Sequence, residues 1–174
     1  MMRRTRGLTQ VYTGDGKGKT TAALGQTIRA VGHGMKVIII QFIKGDSLCG
    51  EHLFAAKYHH FEIVQLNTRS CFDTSLGELQ VPTSQTLALA EKTIVNGIYD
   101  MVVLDEIMVA LNKGLISTRQ VLDLIAKKPE EMVLILTGRG APTEIIEKAD
   151  LVTEMVEIKH PFTKGDIARQ GIEY

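Results

Sequence analysis

Three short runs of this 174-residue sequence are apolar at every position: Val-Ile-Ile-Ile at 37–40, Met-Val-Val-Leu at 101–104 and Met-Val-Leu-Ile-Leu at 132–136. A strand with one face in water alternates apolar and polar residues, whereas a strand covered on both faces by crossover helices is apolar throughout. The runs therefore predict an α/β chain, with a mostly parallel central sheet and helices on both faces.

Six strand-like segments recur along the chain, and helix signals separate them. The predicted strands are residues 8–13, 36–43, 61–66, 99–104, 132–137 and 151–158. The predicted helices are residues 20–31, 84–95, 119–127 and 142–148, because their ends carry glycines, an Asn-Gly pair, a capping Ser or Thr, and a proline. Residues 67–82 have weak periodicity and are predicted to be irregular. The length fits one domain over residues 1–174.

Charge and composition exclude several classes of function. Lys plus Arg and Asp plus Glu both number 20, so no net field attracts nucleic acid or an anionic membrane. The apolar runs are far shorter than the roughly 20 residues of a membrane helix, and the basic N-terminus is not followed by a signal-peptide pattern. Cys49 and Cys71 belong to no disulfide or metal-binding motif. We expect a reduced cytoplasmic protein that binds neither nucleic acid nor membrane.

A glycine-rich turn, Thr13-Gly-Asp-Gly-Lys-Gly-Lys-Thr20, stands between the first predicted strand and the first predicted helix. In that context, backbone amides and a helix N-terminus can bind phosphate, with Lys19 on the phosphate oxygens and the Thr20 hydroxyl on Mg²⁺. The spacing departs from the pattern G-x-x-x-x-G-K-[ST], because its first glycine stands one place late, at Gly14. The turn predicts a nucleoside triphosphate site, and the alternative is a turn that only connects strand and helix.

Two carboxylates, Asp105 and Glu106, follow the apolar run at 101–104. A Walker B strand carries a Mg²⁺ ligand to the carboxyl edge of the sheet in the same way. Neighbouring side chains on a strand point to opposite faces, so one of the two acids is expected to reach the metal; solvated acids are the alternative. Arg139, between two glycines after another buried strand, would either reach phosphate or remain in solvent.

The ordered motifs together resemble one family, the P-loop-type ATP:corrinoid adenosyltransferases. The likeness covers nearly the whole chain, at residues 13–23, 29–34, 41–45, 50–51, 102–106, 137–140, 156–160 and 171–174. It implies a RecA-like P-loop architecture, ATP as co-substrate, Mg²⁺ or Mn²⁺, and a reduced corrinoid, cobalamin or cobinamide, as acceptor. In the implied reaction, cobalt(I) attacks the ribose C5′ of ATP, triphosphate leaves, and adenosylcobalamin forms. Cobalt(I) is so nucleophilic that the reaction needs no protein nucleophile or general base.

The resemblance also implies roles for individual residues. The implied catalytic residues are Lys19, Thr20, Glu106 and Phe72, and the implied metal ligands are Thr20 and Glu106, with Asp105 as the second acid. Phe72 would help to remove the lower axial ligand of cobalt(II), although an anchor packed on the core is an equal alternative. The implied nucleotide-binding residues are Gly14, Asp15, Gly16, Lys17, Gly18, Lys19, Thr20, Thr21, Arg29 and Arg139. The alternative for Arg29, late in its helix, is a surface residue that interacts with the C-terminal end of the helix dipole. A homodimer and an electron donor such as a flavoprotein are also implied.

Two other classes of function stay open at this point. A corrinoid carrier controlled by ATP would use the same site without turnover. A RecA-like ATPase would release phosphate, and would need a basic face for nucleic acid that the balanced charge does not favour. The product released from ATP, whether triphosphate, phosphate or none, separates the three classes.

Overall fold

The computed structural model describes residues 6–45, 49–67, 74–161, 165 and 168–172. Within these residues, six strands form one sheet in the order β3-β2-β4-β5-β1-β6, and every pairing is parallel. The strands are β1 Thr9–Thr13, β2 Val37–Gln41, β3 Glu62–Gln65, β4 Met101–Asp105, β5 Val133–Thr137 and β6 Leu151–Glu154. The predicted parallel α/β sheet is therefore confirmed, with the strand ends shifted by a few residues.

Six helices connect or follow these strands in the part of the chain that the structure describes. They are α1 Lys19–Gly32, α2 Gly50–Tyr58, α3 Leu76–Asn96, α4 Ile107–Asn112, α5 Thr118–Lys127 and α6 Thr143–Lys148. The four predicted helices correspond to α1, α3, α5 and α6, whereas α2 and α4 were not predicted. None of the helices among the described residues is both long enough and apolar enough to cross a membrane.

Helix α3 begins well before the predicted residue 84. The Ser75 hydroxyl accepts a hydrogen bond from the Glu78 amide at 3.4 Å, and the Glu78 carboxylate accepts one from the Ser75 amide at 3.2 Å. This capping box satisfies two N–H groups at the helix start and so fixes the first turn. Pro82 lies inside the helix rather than before it. The irregular structure predicted over residues 67–82 is therefore wrong for residues 76–82.

The apolar runs have the physical cause that the sequence indicated. In β2, Val37 and Ile39 pack into a core with α1 and α2, whereas Ile38 and Ile40 pack into a second core on the opposite face, with α3, α4, α5 and α6. All four side chains are buried. A polar residue at any of these positions would lose its hydration, which explains why the strand does not alternate.

The parallel arrangement brings the functional segments together. The carboxyl ends of β1, β4 and β5 lie at one edge of the sheet, and the β1–β5 and β4–β5 registers place Val11, Leu136 and Leu104 at the same level across it. The glycine-rich turn, Glu106 and the turn at residues 138–140 follow these strands directly. They therefore converge at the carboxyl edge, where α/β folds bind ligands.

Candidate nucleotide and metal site

The glycine-rich turn is supported from behind by the chain that follows β6. The Gly16 amide donates a hydrogen bond to the Met155 carbonyl at 2.7 Å, and the Met155 amide donates one to the Thr13 carbonyl at 2.8 Å. A Cβ on residue 16 would lie 2.8 Å from the Met155 oxygen, so only glycine allows this approach. Strand β6 ends at Glu154, and the chain after it supports the turn. The prediction that this strand extends to residue 158 is therefore wrong at its end.

Lys19 places its ammonium group above the turn. The ammonium donates hydrogen bonds to the carbonyl oxygens of Gly14 at 2.6 Å and Gly16 at 2.7 Å. Burial lowers the pKa of Lys19 and the nearby charge of Arg139 lowers it further, while Asp15 and Glu106 act in the opposite direction. Because Lys19 also begins α1, its charge adds to the partial positive charge of the helix N-terminus. The turn is thus built to receive an anion.

The two acids after β4 have different environments. Asp105 is completely buried, and its Oδ1 accepts hydrogen bonds from the hydroxyls of Thr20 at 2.9 Å and Thr137 at 2.7 Å. Its Oδ2 accepts a hydrogen bond from Gln41 Nε2 at 3.2 Å. Glu106 has a φ of 61° and lines a cavity, while its amide donates to the Thr137 hydroxyl at 2.9 Å. Asp105 is therefore engaged with protein groups, and Glu106 faces the cavity.

Glu106 lies among cationic side chains. Burial raises the pKa of Glu106, and the neighbouring Asp105 carboxylate raises it further, while Lys44, Lys19 and Arg139 act to lower it. A buried carboxylate whose pKa is raised in this way lacks enough compensating interactions in its charged form. The site therefore offers an oxygen ligand whose charged form a divalent cation would stabilise.

A second polar group, which the sequence did not predict as part of the site, lies beside Asp105. The Lys44 ammonium donates a hydrogen bond to Glu51 Oε1 at 2.5 Å and lies 3.9 Å from Asp105 Oδ2. Burial alone would lower the pKa of Lys44, but Asp105 and Glu51 outweigh burial and raise it. The β2–β4 register pairs Gln41 with Asp105, so residues soon after β2 lie near Asp105. The position of Lys44 soon after this strand was the signal that the sequence offered.

A cavity of about 620 Å³ lies between these groups. Of the predicted site residues, those that line it are Asp15, Gly16, Lys17, Gly18, Lys19, Thr20, Thr21, Glu106 and Arg139. Those lining it that the sequence did not predict include Lys44, Glu51, Thr137, His160 and Ile172. Arg29, in the last turn of α1, is not brought to this cavity. Phe72 lies outside the described residues.

The site residues fit a hard divalent cation. Thr20 and Glu106 both line the cavity, and a hydroxyl and a carboxylate are oxygen ligands of the kind that Mg²⁺ prefers. The Thr20 hydroxyl donates its proton to Asp105, so the lone pairs of its oxygen stay available to a cation.

The fold and the site together define a P-loop nucleotide-binding protein. The fold is similar to that of the KaiC-like protein PH0186 from Pyrococcus horikoshii OT3, with a TM-score of 0.53 and 17% identity over 88% of this chain and 75% of that one. Residues 5–174 match the family ATP:corrinoid adenosyltransferase BtuR/CobO/CobP. The chain therefore belongs to this family, which confirms the resemblance carried by its motifs.

Individual relatives agree with the family match. The chain is 37% identical over 170 residues to the corrinoid adenosyltransferase of Escherichia coli (strain K12), covering 97% of this chain and 86% of the relative. It is 40% identical over 177 residues to the corrinoid adenosyltransferase of a Sinorhizobium species, covering 97% and 81%. The corresponding enzyme of Salmonella typhimurium is 36% identical over 172 residues, covering 97% and 86%.

Proposed function

We propose that this chain transfers the 5′-deoxyadenosyl group of ATP to the cobalt(I) of a reduced corrinoid and releases inorganic triphosphate. The observation that carries the proposal is one cavity faced by the phosphate-binding turn, Lys19, Arg139 and Glu106, in a chain of the ATP:corrinoid adenosyltransferase family. Attack at C5′ leaves the whole triphosphate as the leaving group. The protein's main tasks are then to align ATP and to stabilise the charge that develops on the triphosphate.

The turn and two cations bind the triphosphate in this proposal. Two N–H groups of the Lys19 ammonium are fixed by the Gly14 and Gly16 carbonyls, and the third can be donated to a phosphate oxygen. Arg139 adds a guanidinium, whose planar donors suit phosphate oxygens. These donors are in place before the reaction, so the negative charge released onto the triphosphate needs little reorganisation of the site.

Thr20 and Glu106 hold Mg²⁺ in the proposed complex. The same oxygen ligands suit Mn²⁺. The bound ion would neutralise part of the triphosphate charge. Asp105 acts on the metal site through Thr20: the 2.9 Å hydrogen bond takes up the hydroxyl proton, so the oxygen presents its lone pairs to the ion. Asp105 itself is not needed as a ligand, because its two oxygens already accept three hydrogen bonds.

The corrinoid end of the reaction is proposed from the family resemblance. Phe72 helps to remove the lower axial ligand of cobalt(II), and an electron donor such as a flavoprotein reduces the metal to cobalt(I). The chain works as a homodimer in the cytoplasm. Substitution of Phe72 by alanine is expected to slow the reaction more from cobalt(II) than from chemically prepared cobalt(I); an equal loss from both would remove Phe72 from this role.

Product analysis tests the proposed function. Purified protein is mixed with ATP, Mg²⁺ and chemically reduced cobalamin, and the absorbance of a light-sensitive alkylcobalt product is followed while triphosphate is quantified. We expect alkylcobalamin and triphosphate in equal amounts. Release of ADP and phosphate without alkylcobalamin would instead identify an ATPase. Binding of both substrates without any product would identify a carrier.

A further inference from the structure

The turn that carries Arg139 is attached to helix α4. The side-chain amide of Asn112, the last residue of α4, donates a hydrogen bond to the Arg139 carbonyl at 2.7 Å. Gly138 has a φ of 132°, and a Cβ on it would lie 2.8 Å from Met108 Cβ, so the turn packs directly on the helix. Any larger residue at 138 would push the turn away from α4.

The other end of α4 is tied to the same strand. The helix begins directly after Glu106, whose amide donates a hydrogen bond to the hydroxyl of Thr137, the last residue of β5. A hydrogen bond at the start of this six-residue helix thus joins it to β5, and a hydrogen bond at its end joins it to the turn after β5. Glu106 and the turn of Arg139 are therefore attached to opposite ends of the same short helix.

We propose that Asn112 is a positioning residue, which holds the backbone of Arg139 so that the guanidinium faces the triphosphate. This inference rests on the proposed function for the role of Arg139. Glycines on both sides of Arg139 leave the turn with large backbone freedom, and the Arg139 side chain is exposed. The hydrogen bond to the Arg139 carbonyl restricts the backbone from which the arginine side chain extends. Less conformational entropy is therefore lost when phosphate binds.

Electrostatics agree with this placement of Arg139. Its charge lowers the pKa of Lys19, after the larger effect of burial, and it also opposes the raised pKa of Glu106. The charge of Arg139 therefore acts on Lys19, which follows the glycine-rich turn, and on Glu106, which follows β4. Asn112 is itself exposed and does not line the cavity, so its effect on a ligand must pass through the residue that it holds.

The test is a double-mutant cycle on the binding of inorganic tripolyphosphate, measured by calorimetry without corrinoid. Wild type, Asn112→Ala, Arg139→Ala and the double variant are compared. We expect Asn112→Ala to weaken tripolyphosphate binding roughly 3- to 10-fold, the size expected for one net hydrogen bond. In the Arg139→Ala background, the same change should have no further effect. Asn112→Gln keeps an amide donor and should recover most of the affinity.

Several results would overturn the inference. They are unchanged affinity in Asn112→Ala, unchanged affinity in Arg139→Ala, and a double variant that loses the product of the two single effects. We expect the melting temperature of Asn112→Ala to be close to that of wild type. A clearly lower melting temperature, together with affinity losses of the two single variants that multiply in the double variant, would indicate a merely structural role. Because the assay contains no corrinoid, absence of adenosyl transfer by the wild type would refute the proposed function without deciding the coupling between Asn112 and Arg139.

Discussion

The Thr20 hydroxyl donates a hydrogen bond to the buried Asp105 carboxylate across 2.9 Å, which joins the glycine-rich turn to the end of β4. Strand β5 lies between β1 and β4 in the sheet, and its last residue, Thr137, donates to the same carboxylate oxygen. Asp105, at the end of β4, is thus joined to the end of β5 and to the start of α1, and Gln41 at the end of β2 donates to its other oxygen. Glu106, one residue further on, faces the cavity. The two neighbouring acids therefore have separate tasks.

The different environments of the two acids predict that only Asp105 is needed for stability, whereas Glu106 is needed for metal-dependent turnover alone. Asp105→Ala leaves the hydroxyls of Thr20 and Thr137 without their buried acceptor, and we expect the free energy of unfolding to fall by about 2 to 3 kcal/mol. Glu106→Gln should leave stability close to wild type but weaken Mg²⁺-dependent adenosyl transfer. Denaturant unfolding and turnover, measured on both variants, check this. Normal turnover in Glu106→Gln, or normal stability in Asp105→Ala, would contradict the assignment.

The elements that the sequence predicted are those with strong local signals. The continuous runs in β2, β4 and β5 are apolar because both faces are buried, and the glycine-rich turn needs its glycines for contacts that only a residue without Cβ can make. Both requirements act on each residue directly, so they leave a pattern in the sequence. The position of Glu106 beside the turn then follows from the parallel arrangement of the strands.

Features that depend on contacts between distant residues were not predictable. Helix α4 begins directly after Glu106, which is in the left-handed conformation, and no feature of the adjacent sequence indicates a helix start there. Lys44 and Asn112 have partners elsewhere in the chain, Asp105 and Arg139, so their roles depend on the tertiary fold. The start of α3 is a different case. The Ser75–Glu78 spacing of a capping box is present in the sequence, but Pro82 favoured an irregular segment there.

A second prediction concerns the ammonium at the turn. Lys19→Ala removes a cation that lines the cavity, and we expect adenosyl transfer to become undetectable, since charge stabilisation of the proposed triphosphate leaving group contributes strongly to the rate. Lys92→Ala removes an exposed lysine of α3 and is the matched control. Turnover with ATP and reduced cobalamin is the measurement. A Lys19→Ala enzyme that works at near the wild-type rate would remove Lys19 from the mechanism.

The support of the turn by Met155 predicts a contrast between two glycines. Gly16→Ala places a Cβ 2.8 Å from the Met155 carbonyl oxygen, so we expect the turn to distort and ATP binding to weaken by roughly tenfold or more. Gly25→Ala, within α1, meets nothing within 4 Å and should raise stability by about 0.5 to 1 kcal/mol. Calorimetry with ATP and thermal unfolding measure both effects. If both variants bound ATP like wild type, the close approach would not matter.

A fourth prediction follows from the Lys44–Glu51 pair. Burial alone would raise the pKa of Glu51, but the hydrogen bond and charge of Lys44 outweigh burial and lower it below the ordinary value of 4.5. A carboxyl group with a lower pKa when folded binds fewer protons in the folded state. Its stabilising effect is therefore present above pH 4.5 and is lost as the pH falls through the folded pKa.

Glu51→Gln should accordingly be less stable than wild type at neutral pH, by about 1 kcal/mol for a partly buried pair. The difference between the two proteins should shrink as the pH is lowered through and below the ordinary carboxyl range. Urea unfolding over a pH series gives the two stability curves. A difference that stays constant into acid would mean that Glu51 does not titrate with a lowered pKa.

Oxygen-18 placed at the bridge between C5′ and the α-phosphorus of ATP tests most directly whether the turn holds a leaving group. Attack of cobalt(I) on C5′ breaks the bond between carbon and this oxygen, so we expect mass spectrometry to find the label in the released triphosphate. Alkylcobalamin should form in equal amount and carry none of it. Label retained in ADP or in another nucleoside product, with phosphate released, would show reaction at phosphorus and would refute transfer of the adenosyl group through C5′.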